Sequence, residues 1–228
     1  MKIRLSTATA LLSLLLFMSA CSSSQRGVIV LCAGDSITAS SFPRYLLKII
    51  SSEGIRANVL NYGQNGNTSG EYLSYLKANT KNMAAKHPDY ILIQLGTNDV
   101  RRDHDSTSQA QFYANMKAIL RIFRRFQNPD GKRTQIFLAT IPPIPNGIPF
   151  PFSTKSQQRV VEEINPTIKQ IGREENISVV DNYSLFMNNP ELLHEIHPTE
   201  EGYRRLARNW FMALKPFLLK KFSHFRDP

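Results

Sequence analysis

The sequence predicts an α/β fold, a mostly parallel sheet with helices on both faces, and three observations carry that expectation. From residue 28 onward the apolar pattern switches repeatedly between short continuous runs and stretches with helical spacing. The short runs lack polar alternation, as expected of strands covered on both faces. The two kinds of segment alternate along the chain instead of segregating, which favours strand–helix–strand units. At 228 residues, 42% of them hydrophobic, the chain suffices for one domain with a substantial core and is short for two.

Val28-Ile29-Val30-Leu31-Cys32-Ala33 is the first buried strand. Phe42 to Glu53 follows with helical spacing, and Gly54 stops it. Asn58-Val59-Leu60-Asn61 gives a second strand and Glu71 to Lys86 a second helix. Tyr90 to Leu95 is the third strand, Gln109 to Phe126 a long amphipathic helix, and Gln135 to Ile141 the fourth strand. Lys155 to Glu175 reads as helix, Ile177 to Asp181 as the fifth strand, and Glu200 to Leu219 as the closing helix. No internal repeat or interdomain linker interrupts this series.

Ahead of it lies a processing signal. Lys2 and Arg4 precede an uncharged Leu- and Ala-rich stretch, Leu5 to Met18, too short for comfortable spanning and suited to a secretory h-region. It ends Met18-Ser19-Ala20-Cys21, which resembles a bacterial lipobox, with Met where Leu is usual. The expected organisation is a lipoprotein signal peptide over 1–20, a lipidated Cys21 with a short tether over 21–27, and the folded domain over 28–228. An extended Ser22–Arg26 spacer reaches only about 20 Å, which keeps the domain close to a bilayer. The expected location is the cell envelope outside the cytoplasm; Ser22 is compatible with outer-membrane sorting.

Net charge is +10, and about +8 without the first twenty residues, a balance that favours anionic surfaces. The basic residues are spread over several segments and form no nucleic-acid motif, so a nucleic-acid partner is not expected. Cys32 lies in the first strand and reads as a small buried hydrophobe, which leaves Cys21 without a disulfide partner.

In open parallel sheets, functional groups collect at the carboxyl ends of the strands. Strand one is followed by Gly34-Asp35-Ser36-Ile37-Thr38, strand two by Asn61-Tyr62-Gly63-Gln64-Asn65-Gly66-Asn67-Thr68, and strand three by Gly96-Thr97-Asn98-Asp99. His197-Pro198 stands just before the last helix. A serine hydroxyl needs an imidazole to take its proton, and the oxyanion that forms in acyl transfer needs preset donors. Backbone N–H groups at Ser36 and Gly66 and the Asn98 side-chain amide are the candidates. Asp99 reads as structural, stabilising its turn.

These four blocks, in this order, resemble the SGNH (GDSL-type) hydrolase family over residues 28 to about 215. The resemblance implies a three-layer α/β/α, flavodoxin-like fold with a five-stranded parallel sheet. It implies Ser36 as nucleophile, Ser36, Gly66 and Asn98 as the oxyanion hole, and His197 as general base and then acid, with no cofactor or metal. One position departs from the family pattern: an acid usually stands three residues before the histidine, and here the run is His194-Glu195-Ile196-His197-Pro198. Such an acid fixes the tautomer of the base and stabilises its imidazolium. Neutral His194 or a backbone carbonyl would then orient His197 in a dyad, with Glu195 expected to point elsewhere. His194 and His197 without a third ligand make a poor metal site.

Ile141 to Phe152 is a proline-stiffened apolar loop, readable as an acyl-binding slot or as a packed surface loop. Arg101, Arg102 and His104 follow the third block and read more simply as solvated charges than as anion contacts. The tail from Leu214 to Phe225 reads as a packed helix end with some capacity to touch a membrane. The expected function is a lipid-anchored serine esterase acting on O-acetyl or short-acyl esters of envelope glycans or lipids. Two alternatives stand beside it: a lysophospholipase or thioesterase, and a tethered glycan- or lipid-binding module on a weakened hydrolase fold. Labelling by a fluorophosphonate separates the enzymes from the binding module.

Overall fold

The computed structural model describes residues 26–102 and 107–223. Five parallel strands form one sheet in the order β2-β1-β3-β4-β5. They are β1 (Val28–Gly34), β2 (Ala57–Gly63), β3 (Tyr90–Gln94), β4 (Gln135–Ala139) and β5 (Ser178–Val180). The strand order reverses between β1 and β3, and the carboxyl ends of strands flanking such a point form a natural crevice. This is the α/β fold expected from the sequence.

Alternation within each strand sorts two cores. Leu31, Ala33, Ile91, Ile93, Ile136 and Leu138 point to one face. There they meet α3 (Ser69–Ala84), α4 (Gln109–Phe123), and a long segment made of α5 (Thr154–Arg159), a π-turn over Val160–Ile164, and α6 (Asn165–Glu174). Val28, Val30, Cys32, Leu92 and Phe137 point to the other face. They pack on α1 (Ser36–Ala39), α2 (Phe42–Ser52), α7 (Asn182–Met187) and α8 (Glu200–Ser223). Cys32 is free and buried, as expected.

Two differences from the sequence reading bear on the site. The one-turn helix α1, which opens at Ser36, and a hairpin of β6 (Leu193–His194) and β7 (His197–Pro198) are too short to show periodicity. The predicted helix over 155–175 is interrupted by the π-turn, which hands over to α6 at Asn165-Pro166. A proline lacks the N–H that a regular helix interior would use. Asn165 turns inward instead, accepting from the Ile141 N–H at 2.8 Å and donating to the Ile141 carbonyl at 3.2 Å.

The proline loop is packed at its base: Ile141, Ile144 and Phe152 are buried, while Phe150 at its tip is exposed. Helix α8 seats Leu206, Trp210, Leu214 and Leu218 on the core, so the tail is a packed helix to that point. Among the described residues no helix is long and apolar enough to cross a membrane. The signal segment and Cys21 lie outside the described residues, as does His104.

Candidate active site

Three strand ends and the hairpin converge at the reversal point. Gly34 closes β1 against β3, and a Cβ there would lie 2.1 Å from the Gln94 carbonyl oxygen, so only glycine fits. Asp35 then caps α1, accepting from the Ile37 N–H at 3.0 Å, and Ser36 becomes the first residue of that helix. Its N–H, in the first turn, has no acceptor within the helix.

The Ser36 Oγ lies 2.9 Å from His197 Nε2, across 161 residues of sequence. His197 is half-buried, and burial is the main cause holding its pKa below 6.5. The charge of Glu195 acts in the opposite direction, and that of His194 adds to the lowering. A ring kept neutral near pH 7 can accept the serine proton.

The hairpin bears on two expectations. His194 stands directly opposite His197 in the antiparallel pair, so their side chains leave the same face, yet no hydrogen bond joins the rings. His194 therefore supplies no acceptor for His197 in this geometry, and its charge opposes the imidazolium. Glu195 occupies the hairpin turn at φ +55°, the left-handed region that tight two-residue turns favour, makes no hydrogen bond to His197, and carries a charge that works against the lowering by burial.

Asn98 opens a 3₁₀ turn after β3 and is 5% exposed. Its Nδ2 donates to the Asn67 carbonyl at 3.0 Å, which fixes the amide and leaves its second N–H available. Gly66, next to Asn67, is exposed and holds φ +75°, with open space where a Cβ would be. Asp99 braces the same loop, as the sequence suggested: its carboxylate takes the Ser69 N–H at 2.9 Å and the Ser69 hydroxyl at 2.5 Å, at the start of α3. Asn115 donates to that hydroxyl from α4 at 3.0 Å, and Arg159 holds the Asp99 carbonyl at 2.8 Å. The Gly66 loop and Asn98 are thus tied together by side chains from three helices. Sequence reasoning missed Asn115 and Arg159, which lie in ordinary helical stretches without a motif.

Asp181, at the end of β5, accepts from the Ser184 N–H at 3.0 Å and from Thr140, capping α7. It serves the fold. Arg102 donates its backbone N–H to the Pro151 carbonyl at 2.8 Å, linking the loop after β3 to the proline loop. Among the described residues, no group of three or more His, Cys, Asp or Glu side chains is arranged to hold a metal ion.

A sequence profile described as the GDSL-like Lipase/Acylhydrolase family matches residues 32–205. A multidomain esterase from Ruminococcus flavefaciens is 27% identical over 134 residues. Those residues are 58% of this chain and 16% of that protein, so the chain spans about a sixth of its relative's length. Among solved structures, a lipase/acylhydrolase from Enterococcus faecalis superposes with a TM-score of 0.68 at 24% identity, covering 83% of this chain and 96% of its own. An acetyl xylan esterase superposes at 0.67 and 19% identity, covering 82% and 100%. At these identities the structural likeness speaks for the fold alone.

Proposed function

Since the chain belongs to the GDSL-like lipase/acylhydrolase family, we propose that it is a carboxylic ester hydrolase that works through Ser36 as nucleophile and His197 as its base. The observation that carries this reading is the 2.9 Å contact between the Ser36 Oγ and His197 Nε2. His197 would take the Ser36 proton as Oγ attacks the ester carbonyl, then return it to the leaving alcohol; water repeats the sequence on the acyl-enzyme. The oxyanion would lie among the N–H groups of Ser36 and Gly66 and the free N–H of Asn98. No described carboxylate is hydrogen-bonded to His197, and the charge of Glu195 favours the protonated ring. We read the machinery as a Ser36–His197 dyad.

The substrates we propose are O-acetyl or short-acyl esters on glycans or lipids of the cell envelope, reached by a protein anchored through Cys21. The basic balance of the chain and the lipobox-like Met18-Ser19-Ala20-Cys21 support the location. The esterase names of the relatives support the bond type. Chain-length-graded nitrophenyl esters and a fluorophosphonate probe test the reading. Ser36→Ala should abolish both hydrolysis and labelling while the circular dichroism spectrum is kept. Wild-type protein that neither hydrolyses any ester nor takes the probe would favour a binding module instead.

A further inference from the structure

We infer that the groove between α2 and α8 binds a negatively charged glycan strand, through residues separate from those that carry hydrolysis. The groove encloses about 640 Å3. On the α2 wall, Lys48 and Ser52 are four residues apart and share one helical face, with Arg44 one turn before them at the rim. On the α8 wall, Arg204, Arg205 and Arg208 fall at offsets of one, three and four and share the facing side. Tyr45 forms the floor; it is 4% exposed, and Arg44, Lys48 and Arg204 stand 5.2, 5.7 and 4.5 Å from its ring centre.

Four cations line this groove beside one carboxylate, Glu201. The nearby acids are engaged at its two ends: Glu200 meets Arg204 at 3.4 Å and Arg44 at 4.0 Å, and Glu53 meets Lys215 at 3.1 Å. No described carboxylate pairs with Arg205 or Arg208. Like charges held this close repel, and an anion between the two walls relieves that repulsion.

The shape selects the kind of anion. The recess lies between two helices and holds about 640 Å3, room that a chain of sugars can enter, whereas a flat headgroup layer would meet only its rims. The channel also has a direction. Helix α2 begins six residues after Ser36 and α8 two residues after Pro198, so the groove opens near the sheet end that carries Ser36 and His197 and runs away from it. Recognition here needs no turnover and stands independently of the hydrolytic reading.

The test is fluorescence anisotropy of a labelled galacturonate hexamer with the full chain at low salt. The hexamer should bind, and its affinity should fall with rising salt. R205E/R208E should weaken it by about tenfold or more, because two attractions become repulsions. R205Q/R208Q should weaken it less. K77E/K81E changes the net charge equally, but on α3 at the opposite face of the sheet, and should leave affinity within about twofold. Unchanged hydrolysis of a small neutral ester by R205E/R208E checks its fold; should that variant fail to fold, R205Q/R208Q decides. Any of four results overturns the proposal: no binding by the full chain, equal loss in K77E/K81E, displacement by neutral maltohexaose, or groove-dependent binding of phosphatidylglycerol vesicles without binding of the hexamer.

Discussion

Replacing Asp35 by asparagine should make folding stability less dependent on pH, by an amount the structure allows to be worked out. Asp35 is fully buried; one oxygen caps α1 through the Ile37 N–H, and the Thr97 N–H and hydroxyl lie close to the carboxylate without giving Oδ2 a well-formed hydrogen bond. Burial, reinforced by the charge of Asp99, pushes its pKa from 3.8 up to about 6, with Ile37 and Thr97 offsetting part of the effect. A pKa raised by folding means that the native state holds its proton after the unfolded chain has released it. The favourable contribution is therefore complete below pH 3.8 and is lost as the pH rises to about 6. At about 1.4 kcal/mol per pH unit, that interval amounts to about 3 kcal/mol. Asparagine keeps a cap acceptor and has no charge to bury, so the variant should gain on the wild type by about 3 kcal/mol between about pH 4 and pH 7. Urea unfolding of both proteins across that range measures it, and subtraction removes the other carboxylates. Parallel stability curves would refute the argument, since they would mean that Asp35 finds a partner or solvent the packing does not provide.

Further outcomes concern the chemistry. Asn98→Ala should lower the turnover number by about 10²–10³ with little change in KM, because its free N–H meets charge only in the transition state; a change confined to KM would remove it from that role. Hydrolysis should fall on acidification with a midpoint below pH 6.5, because burial of His197 favours the neutral ring that acts as base; a midpoint above that value in a pH profile contradicts the geometry. Glu195→Gln should shift this midpoint further down and reduce turnover several-fold, and His194→Asp should move it up while raising turnover near pH 8. Opposite shifts would show that another group supports the imidazolium. Mass spectrometry of membrane-extracted protein should find Cys21 at the N-terminus carrying acyl chains, and an unmodified terminus would reject the anchor.

Much of the architecture was legible because parallel strands buried on both faces leave a plain signature: Tyr90 to Leu95 is apolar at every position but Gln94, whose side chain accepts from Asn182 of α7. The catalytic blocks were legible for a related reason, since strand ends are where a parallel sheet presents backbone to a crevice. What escaped is set by distant contacts. The placement of Glu195 depends on a positive φ in a hairpin whose strands are two residues each, too short for any periodicity. Asn115 and Arg159 look like ordinary helix-face residues until α4 and the π-turn segment are seen to converge on Ser69 and Asp99. The expectation for His194 failed because sequence spacing gives proximity without hydrogen-bond geometry.

The two partners of the catalytic contact come from opposite ends of the domain. Four of the five strands of the sheet, β2 to β5, lie between Ser36 and His197, so closing that contact is among the most non-local events in the fold and should come late. Until α8 docks and draws the hairpin over β1, Ser36 is an ordinary alcohol with no base beside it. Assembly order thus acts as a safety catch: in a chain still being synthesised, Ser36 cannot yet attack an ester. A chain shortened anywhere in α8 should likewise lose reactivity toward a fluorophosphonate before it loses its sheet.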